Sequence, residues 1–228
     1  MAWPTIQISA GTADDTQSSG SRTWSHTCSA SSTILLVLVG TGTTSGTDVV
    51  TGVTYNSVAM SRVDTQSDGS FERVFIYKLT SSLSSSAQTI AVNYSSGSTV
   101  QIFGCAVSAD GASTTLGTVS KTTTNADPAT LTVVDSANGN VVVGMMANDQ
   151  GGNVQVYSGT FIGAATAGPG DSTFSGQSQT ATGANTVLSW DMVSADVFAA
   201  IGVAIKETGG SGGSKAGSVY YNLLTRSK

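Results

Sequence analysis

Short apolar segments separated by polar, turn-rich segments recur along the first 208 residues of the chain. Residues 22–28 and 71–78 alternate side chains with the two-residue period of a strand that has distinct faces. Residues 33–39 are apolar throughout, which predicts a central strand covered on both faces. No segment combines a helical period with capping residues, so we expect an all-β fold.

The pattern predicts about thirteen strands, too many for one flat sheet. We therefore expect two packed antiparallel sheets, arranged either as a jelly roll or as an immunoglobulin-like sandwich. One hairpin is expected within residues 49–63, turning at Asn56-Ser57. The other strands are predicted at residues 5–9, 22–28, 33–39, 71–78, 89–94, 99–108, 129–134, 140–147, 154–157, 172–180, 185–191 and 197–206.

Composition supports one domain without structural metal or disulfides. Of the 228 residues, 39% are hydrophobic and only 10% are charged, against roughly 25% charged residues in typical soluble domains. A chain of this length buries enough surface to fold around its own core. Two cysteines do not make a disulfide framework, so we expect Cys28 and Cys105 to be buried free thiols rather than a bridge.

The last twenty residues differ from the rest of the chain. Residues 209–214 (GGSGGS) form a Gly/Ser spacer of the flexible kind, between a sandwich domain at 1–208 and an arm at 215–228. The arm combines aromatic and aliphatic side chains with basic ones, and we expect it to extend from the domain and dock on another molecule. An engineered extension is the alternative. The predicted partner-binding residues are Val219, Tyr220, Tyr221, Leu223, Leu224 and Arg226.

Charge is unevenly distributed along the chain. All fourteen acidic residues and six of the nine basic ones lie in residues 1–208, so the domain carries −8 and the arm +3. An acidic domain argues against nucleic acid as a partner, whereas a basic arm suits the acidic surface of another copy. No stretch approaches the roughly 20 apolar residues of a membrane span, and the first residues lack the pattern of an export signal.

Several segments together resemble a known domain. They are TWSHTCSASSTILLVLV, VTGVTYNSVAMSRV, ERVFIYKL, the SADGAS loop, VLSWDM and FAAIGVAIKE. The series is similar to a β-sandwich domain of bacteriophage structural proteins (decoration and tail proteins) and of bacterial surface proteins, a domain without an assigned activity. The resemblance covers about residues 24–207. It implies a structural or attachment module, with no catalytic residues to transfer.

Nucleophilic catalysis finds little support in the residues present. His26 is the one histidine, and it shares a strand face with Cys28 at a separation of about 7 Å, too far for a direct hydrogen bond. We expect a packed ring and a buried thiol there. The G-x-S-x-G pattern occurs only within the spacer, which lacks the strand-to-helix turn that this motif requires.

Carboxylates offer no clear site either. Asp64, Asp68 and Glu72 surround one predicted turn and Asp191 and Asp196 bracket another, placements typical of solvated turns rather than of a glycosidase pair. Calcium ligands are conceivable at Asp14-Asp15, or at Asn148-Asp149 with Asn153, but the spacing is not that of an EF-hand. We therefore expect no enzyme activity, no cofactor and no metal.

These observations favour a virion structural protein that is made in the host cytoplasm and resides on the virion surface. The leading hypothesis is a decoration or cement protein on a bacteriophage capsid, attached to neighbouring copies or to the major capsid protein. A homo-oligomer is expected, with a trimer assumed from similar virion proteins. The alternative is a carbohydrate-binding or adhesin module of a phage fibre or bacterial surface, using exposed aromatic rings. Its candidates are Trp3, Trp24, Tyr55, Tyr94, Tyr157 and Trp190.

Overall fold

A computed structural model describes residues 5–11, 14–44, 47–149, 155–156, 158–166 and 172–208. All secondary-structure elements assigned in these residues are β-strands. The described residues contain no helix that could span a membrane. Antiparallel sheets pack against one another, so the predicted all-β sandwich is confirmed. The described residues form three hydrogen-bonded sheets rather than two.

The first half of the chain provides nine strands. They are β1 (Ile6–Ala10), β2 (Asp14–His26), β3 (Ser32–Gly42), β4 (Val50–Tyr55), β5 (Val58–Ala59), β6 (Ser61–Ser67), β7 (Glu72–Leu79), β8 (Gln88–Asp110) and β9 (Ala112–Leu116). The second half adds eight more. They are β10 (Ser120–Ala126), β11 (Ala129–Val134), β12 (Val141–Asn148), β13 (Gln155–Val156), β14 (Thr160–Thr166), β15 (Thr173–Thr180), β16 (Asn185–Asp191) and β17 (Asp196–Glu207).

The 23-residue strand β8 organises the largest sheet, which has the order β5-β4-β8-β3-β7-β6 and adds β1 and β2 along β8. Its first half pairs with β4 and β2, and its second half pairs with β3 and β1. The sequence predicted two strands here, at 89–94 and 99–108. They are one strand because β2 pairs on both sides of the intervening polar residues, through Ser19 with Ser95 and Gln17 with Val100.

Strand β3 is buried on both faces, as its continuous apolar sequence predicted. Leu36 and Leu38 enter one core together with Phe103 of β8, whereas Leu35 and Val37 enter a second core. This second core also contains residues of β4 and of the first half of β8, so the sheet covers part of its own face. The large sheet therefore contributes to two separate hydrophobic cores.

A six-stranded sheet lies in the middle of the molecule, with the order β10-β17-β12-β15-β14 and β9 beside β17. Successive side chains of β12 point to opposite faces of this sheet. Val143 and Met145 join the core shared with the large sheet, whereas Val142 and Met146 join a third core. The third core is closed by the small sheet β11-β16-β13, which contributes Leu188 among others.

The predicted hairpin turn is present in the structure. Asn56 and Ser57 have φ angles of 49° and 63°, the left-handed conformation required at both central positions of a type I′ hairpin turn. They connect β4 to β5, so the predicted turn is confirmed.

Gly40 of β3 faces the ring of Phe174 of β15, and a β-carbon at position 40 would overlap that ring. The glycine thus allows the two larger sheets to pack closely.

Candidate functional site

The predicted docking arm lies outside the described residues, together with the spacer. This applies to Val219, Tyr220, Tyr221, Leu223, Leu224 and Arg226. The structure does describe the strand that precedes them. β17 pairs with β10 on one side and β12 on the other, and the Thr208 N–H then donates to the Gly111 carbonyl at 3.0 Å. The chain is therefore anchored at the point where the predicted spacer begins.

His26 is buried in a hydrogen-bonded network, in agreement with the predicted packed ring. Ser108 Oγ donates to Gln7 Oε1 at 3.0 Å, which leaves the Ser108 oxygen to accept from His26 Nε2–H at 3.0 Å. His26 Nδ1 then accepts from Ser9 Oγ at 2.8 Å. Burial lowers the pKa of His26 to about 4. The imidazole is consequently neutral near pH 7 and is shielded from substrates.

Both cysteines are buried and free, as expected from the sequence. Burial raises the pKa of the Cys105 thiol, so its reactive thiolate form is disfavoured. Cys28 lies near Tyr55, whose phenol donates to the Ser84 carbonyl at 3.2 Å. Neither thiol is exposed to a substrate in this arrangement.

The aromatic residues proposed for carbohydrate recognition belong mainly to the interior. Tyr55, Tyr94 and Trp190 are buried, and Trp24 is half-buried with its Nε1–H donating to Ser9 Oγ at 3.2 Å. Trp3 and Tyr157 lie outside the described residues. The four described candidates therefore do not form an exposed platform for sugar rings.

Four carboxylates come together at one end of the two larger sheets, a region we call the acidic pole. Asp68 precedes β7, Glu72 begins β7, Asp149 follows β12 and Asp196 begins β17. Antiparallel pairing brings the end of β12 beside the start of β17, where Asn148 pairs with Phe198. Three turns that are distant in sequence thus supply one acidic surface.

Glu72 is the most buried member of the acidic pole, with only 1% of its surface exposed. Its Oε1 accepts from Ser172 Oγ at 2.7 Å, a bond that links the large sheet to the residue before β15. Its Oε2 accepts no hydrogen bond from any group in the part of the chain that the structure describes. Burial, and next the adjacent carboxyl of Asp68, raise the pKa of Glu72 to about 9. Glu72 is therefore protonated near pH 7.

Hydrogen-bond acceptors outnumber donors around Glu72. Asp68 Oδ1 already accepts the backbone N–H groups of residues 70, 71 and 72 at 2.8, 3.0 and 3.1 Å. The buried atoms Asp196 Oδ2 and Asn148 Oδ1 have no hydrogen-bond partner among the described residues. Burial raises the pKa of Asp149, and its neighbours Asp196 and Asp68 raise it further. An incoming group that donates hydrogen bonds and carries positive charge would supply the missing donors and would reduce the repulsion among the carboxylates.

Apolar side chains border these carboxylates. Phe71 precedes Glu72 and is 43% exposed, while Val193 and Val197 lie on either side of Asp196 and are 75% and 38% exposed. Among the described residues, no group of three or more acidic, histidine or cysteine side chains is arranged to hold a metal ion. The acidic pole therefore suits an extended ligand with several basic and apolar groups better than a single ion.

One sequence expectation is wrong at this site. Glu72 was assigned to a solvated turn, but it is buried because its side chain lies at the junction of the two larger sheets, against Ser172. A signal was present in the sequence, since Glu72 shares a strand face with Val74 and Ile76, and both of these are core residues.

No protein-family model, no curated protein and no solved structure matches the chain.

Proposed function

We propose that the protein is a non-enzymatic structural component of a virion, a decoration or cement protein on a bacteriophage capsid. In this role the sandwich domain forms the exposed body, and the C-terminal arm attaches it to neighbouring copies or to the major capsid protein. The virion setting rests on the resemblance of residues 24–207 to phage structural proteins. The attachment mechanism rests on the position of β17 in the fold.

The anchoring of β17 is the observation that carries the proposed mechanism. This 12-residue strand lies between β10 and β12 and leads directly into residues 209–228. A force on the arm acts along the axis of β17. The hydrogen bonds that pair β17 with β10 and with β12 then bear this force together instead of breaking one after another. An arm joined to a central strand can therefore hold a body on a surface under mechanical load.

The interior of the body is compatible with a structural role. The groups most suited to nucleophilic chemistry, His26, Cys28 and Cys105, are buried, and both ring nitrogens of His26 have serine partners. The three hydrophobic cores are formed by residues before the arm. The body is thus expected to fold without the arm, which separates attachment from stability.

Deletion of residues 215–228 tests this function. We expect an unchanged melting temperature, because the three cores remain complete, and at least a tenfold loss in the amount that co-sediments with purified capsids. The physical reason is that burying the two tyrosines and two leucines of the arm supplies several kcal/mol, at about 25 cal/mol per Å² of apolar surface. A variant with the arm replaced by Gly/Ser residues of equal length controls for chain length.

The proposed function would be refuted if the deleted chain still co-sedimented at the level of the full chain. Co-sedimentation retained by the Gly/Ser variant would also contradict the mechanism, because that arm has no apolar side chains to bury. The melting temperature, recorded on the same samples, distinguishes lost attachment from lost folding.

A further inference from the structure

We propose that the acidic pole binds the C-terminal arm of a second copy of this chain, so that copies join head to tail. This inference rests on the proposed role of the arm in attachment, and it names the surface that receives the arm. The described part of the chain ends away from the acidic pole, since β17 runs from Asp196 at the pole to Glu207.

Charge complementarity is the first argument. The arm contains three basic residues and no acidic one, whereas the pole gathers Asp68, Asp149 and Asp196 around the neutral Glu72. Lysine and arginine side chains donate several hydrogen bonds and accept none. They therefore match a region whose buried acceptor atoms receive no hydrogen bond from residues that the structure describes.

Apolar complementarity is the second argument. Phe71, Val193 and Val197 are exposed apolar residues within three positions of pole carboxylates in sequence, and the arm offers two tyrosines and two leucines within residues 220–224. A tyrosine combines an apolar ring with a hydroxyl that donates a hydrogen bond, which suits a surface of mixed character. The mixed surface also disfavours a single metal ion as the ligand.

The reach of the chain favours a second copy over the same molecule. β17 spans about 36 Å at about 3.3 Å per residue, so this length separates the exit of the chain from its own acidic pole. Tyr220 lies twelve residues beyond Thr208, and a fully extended chain of that length reaches at most about 43 Å. Placing Tyr220 on the pole of its own chain would leave almost no slack for passing around the body. The pole of a neighbouring copy is not held at this fixed distance from the exit of the chain.

Sedimentation velocity of the full chain at several concentrations tests the inference. The pole variant Phe71→Ser/Val193→Ser should weaken self-association at least tenfold. The control Phe161→Ser/Val187→Ser removes side chains of the same types, 53% and 48% exposed on other strands, and should stay within twofold of the original chain. Asp149→Asn should also weaken association and make it less sensitive to salt.

Several outcomes would overturn the inference. A full chain that remains monomeric, equal effects of the pole and control variants, or unchanged association after deletion of residues 215–228 would each do so. A melting temperature raised by calcium chloride, with the increase abolished in Asp149→Asn and association unaffected by the pole variant, would identify a metal site instead. If the pole variant associates normally while the arm deletion abolishes capsid attachment, this inference fails and the proposed function stands.

Discussion

The substitution Glu72→Gln should make the protein less sensitive to alkaline pH. Glutamine keeps the shape of the side chain and can still accept the bond from Ser172 Oγ, but it cannot ionise. In the original chain, raising the pH favours the unfolded state, because the buried Glu72 carboxyl must either keep its proton or become a charge in a desolvated site beside Asp68. The variant removes this contribution.

The size of the effect follows from the pKa of Glu72, which rises from 4.5 to about 9 on folding. Below pH 4.5 the group is protonated in both states and costs nothing. Between pH 4.5 and 9 only the folded state holds the proton, so stability falls by about 1.4 kcal/mol per pH unit. The total loss is about 6 kcal/mol, complete above pH 9.

Urea unfolding between pH 5 and 9, followed by tryptophan fluorescence, measures this contribution, since Trp190 is fully buried. The free energies of the original chain and of Glu72→Gln should diverge with rising pH by about 1.4 kcal/mol per unit. Taking the difference between the two proteins cancels other groups, such as Asp149. Parallel curves across this range would refute the assignment of a buried, protonated Glu72.

Two further substitutions test the interior. The substitution His26→Gln should remove a pH dependence of the opposite sign, because the pKa of His26 falls from 6.5 to about 4 on folding. The free energy of unfolding of the original chain should therefore fall by about 3 kcal/mol between pH 6.5 and 4. The same urea assay should show no such loss in the variant. Equal acid sensitivity of both proteins would contradict this. Gly40→Ala should destabilise by about 1–3 kcal/mol because its β-carbon meets the ring of Phe174, whereas the control Gly52→Ala, with nothing within 4 Å, should change stability little. Equal urea midpoints for the two alanine variants would exclude tight packing at Gly40.

The strands with a clear apolar pattern could be predicted from the sequence. The predicted ranges 129–134 and 185–191 coincide with β11 and β16, whose alternating burial follows the alternation of their residues. The strands β9, β10 and β14 were missed. β9 and β10 are rich in serine, threonine and alanine and lie mostly exposed, so they are specified by pairing with β17 rather than by their own hydrophobicity.

The acidic pole could not be predicted from local sequence. Its carboxylates come from three separate turns, and the partner of Glu72 is Ser172, one hundred residues later. Each acidic residue taken alone resembles a solvated turn residue. Only the packing of the two larger sheets reveals that Glu72 is buried and that the other carboxylates lie near it. The docking arm remains a prediction, since it lies outside the described residues.

The central place of β17 has a consequence for biosynthesis. β17 is the last strand that the structure describes, yet β10, β12 and β9 all depend on it for pairing. Until residue 207 has left the ribosome, these strands expose open edges that are prone to aggregation and degradation. A polypeptide released before Asp196 cannot complete its middle sheet. We therefore expect stable folding only of copies that have been translated through β17.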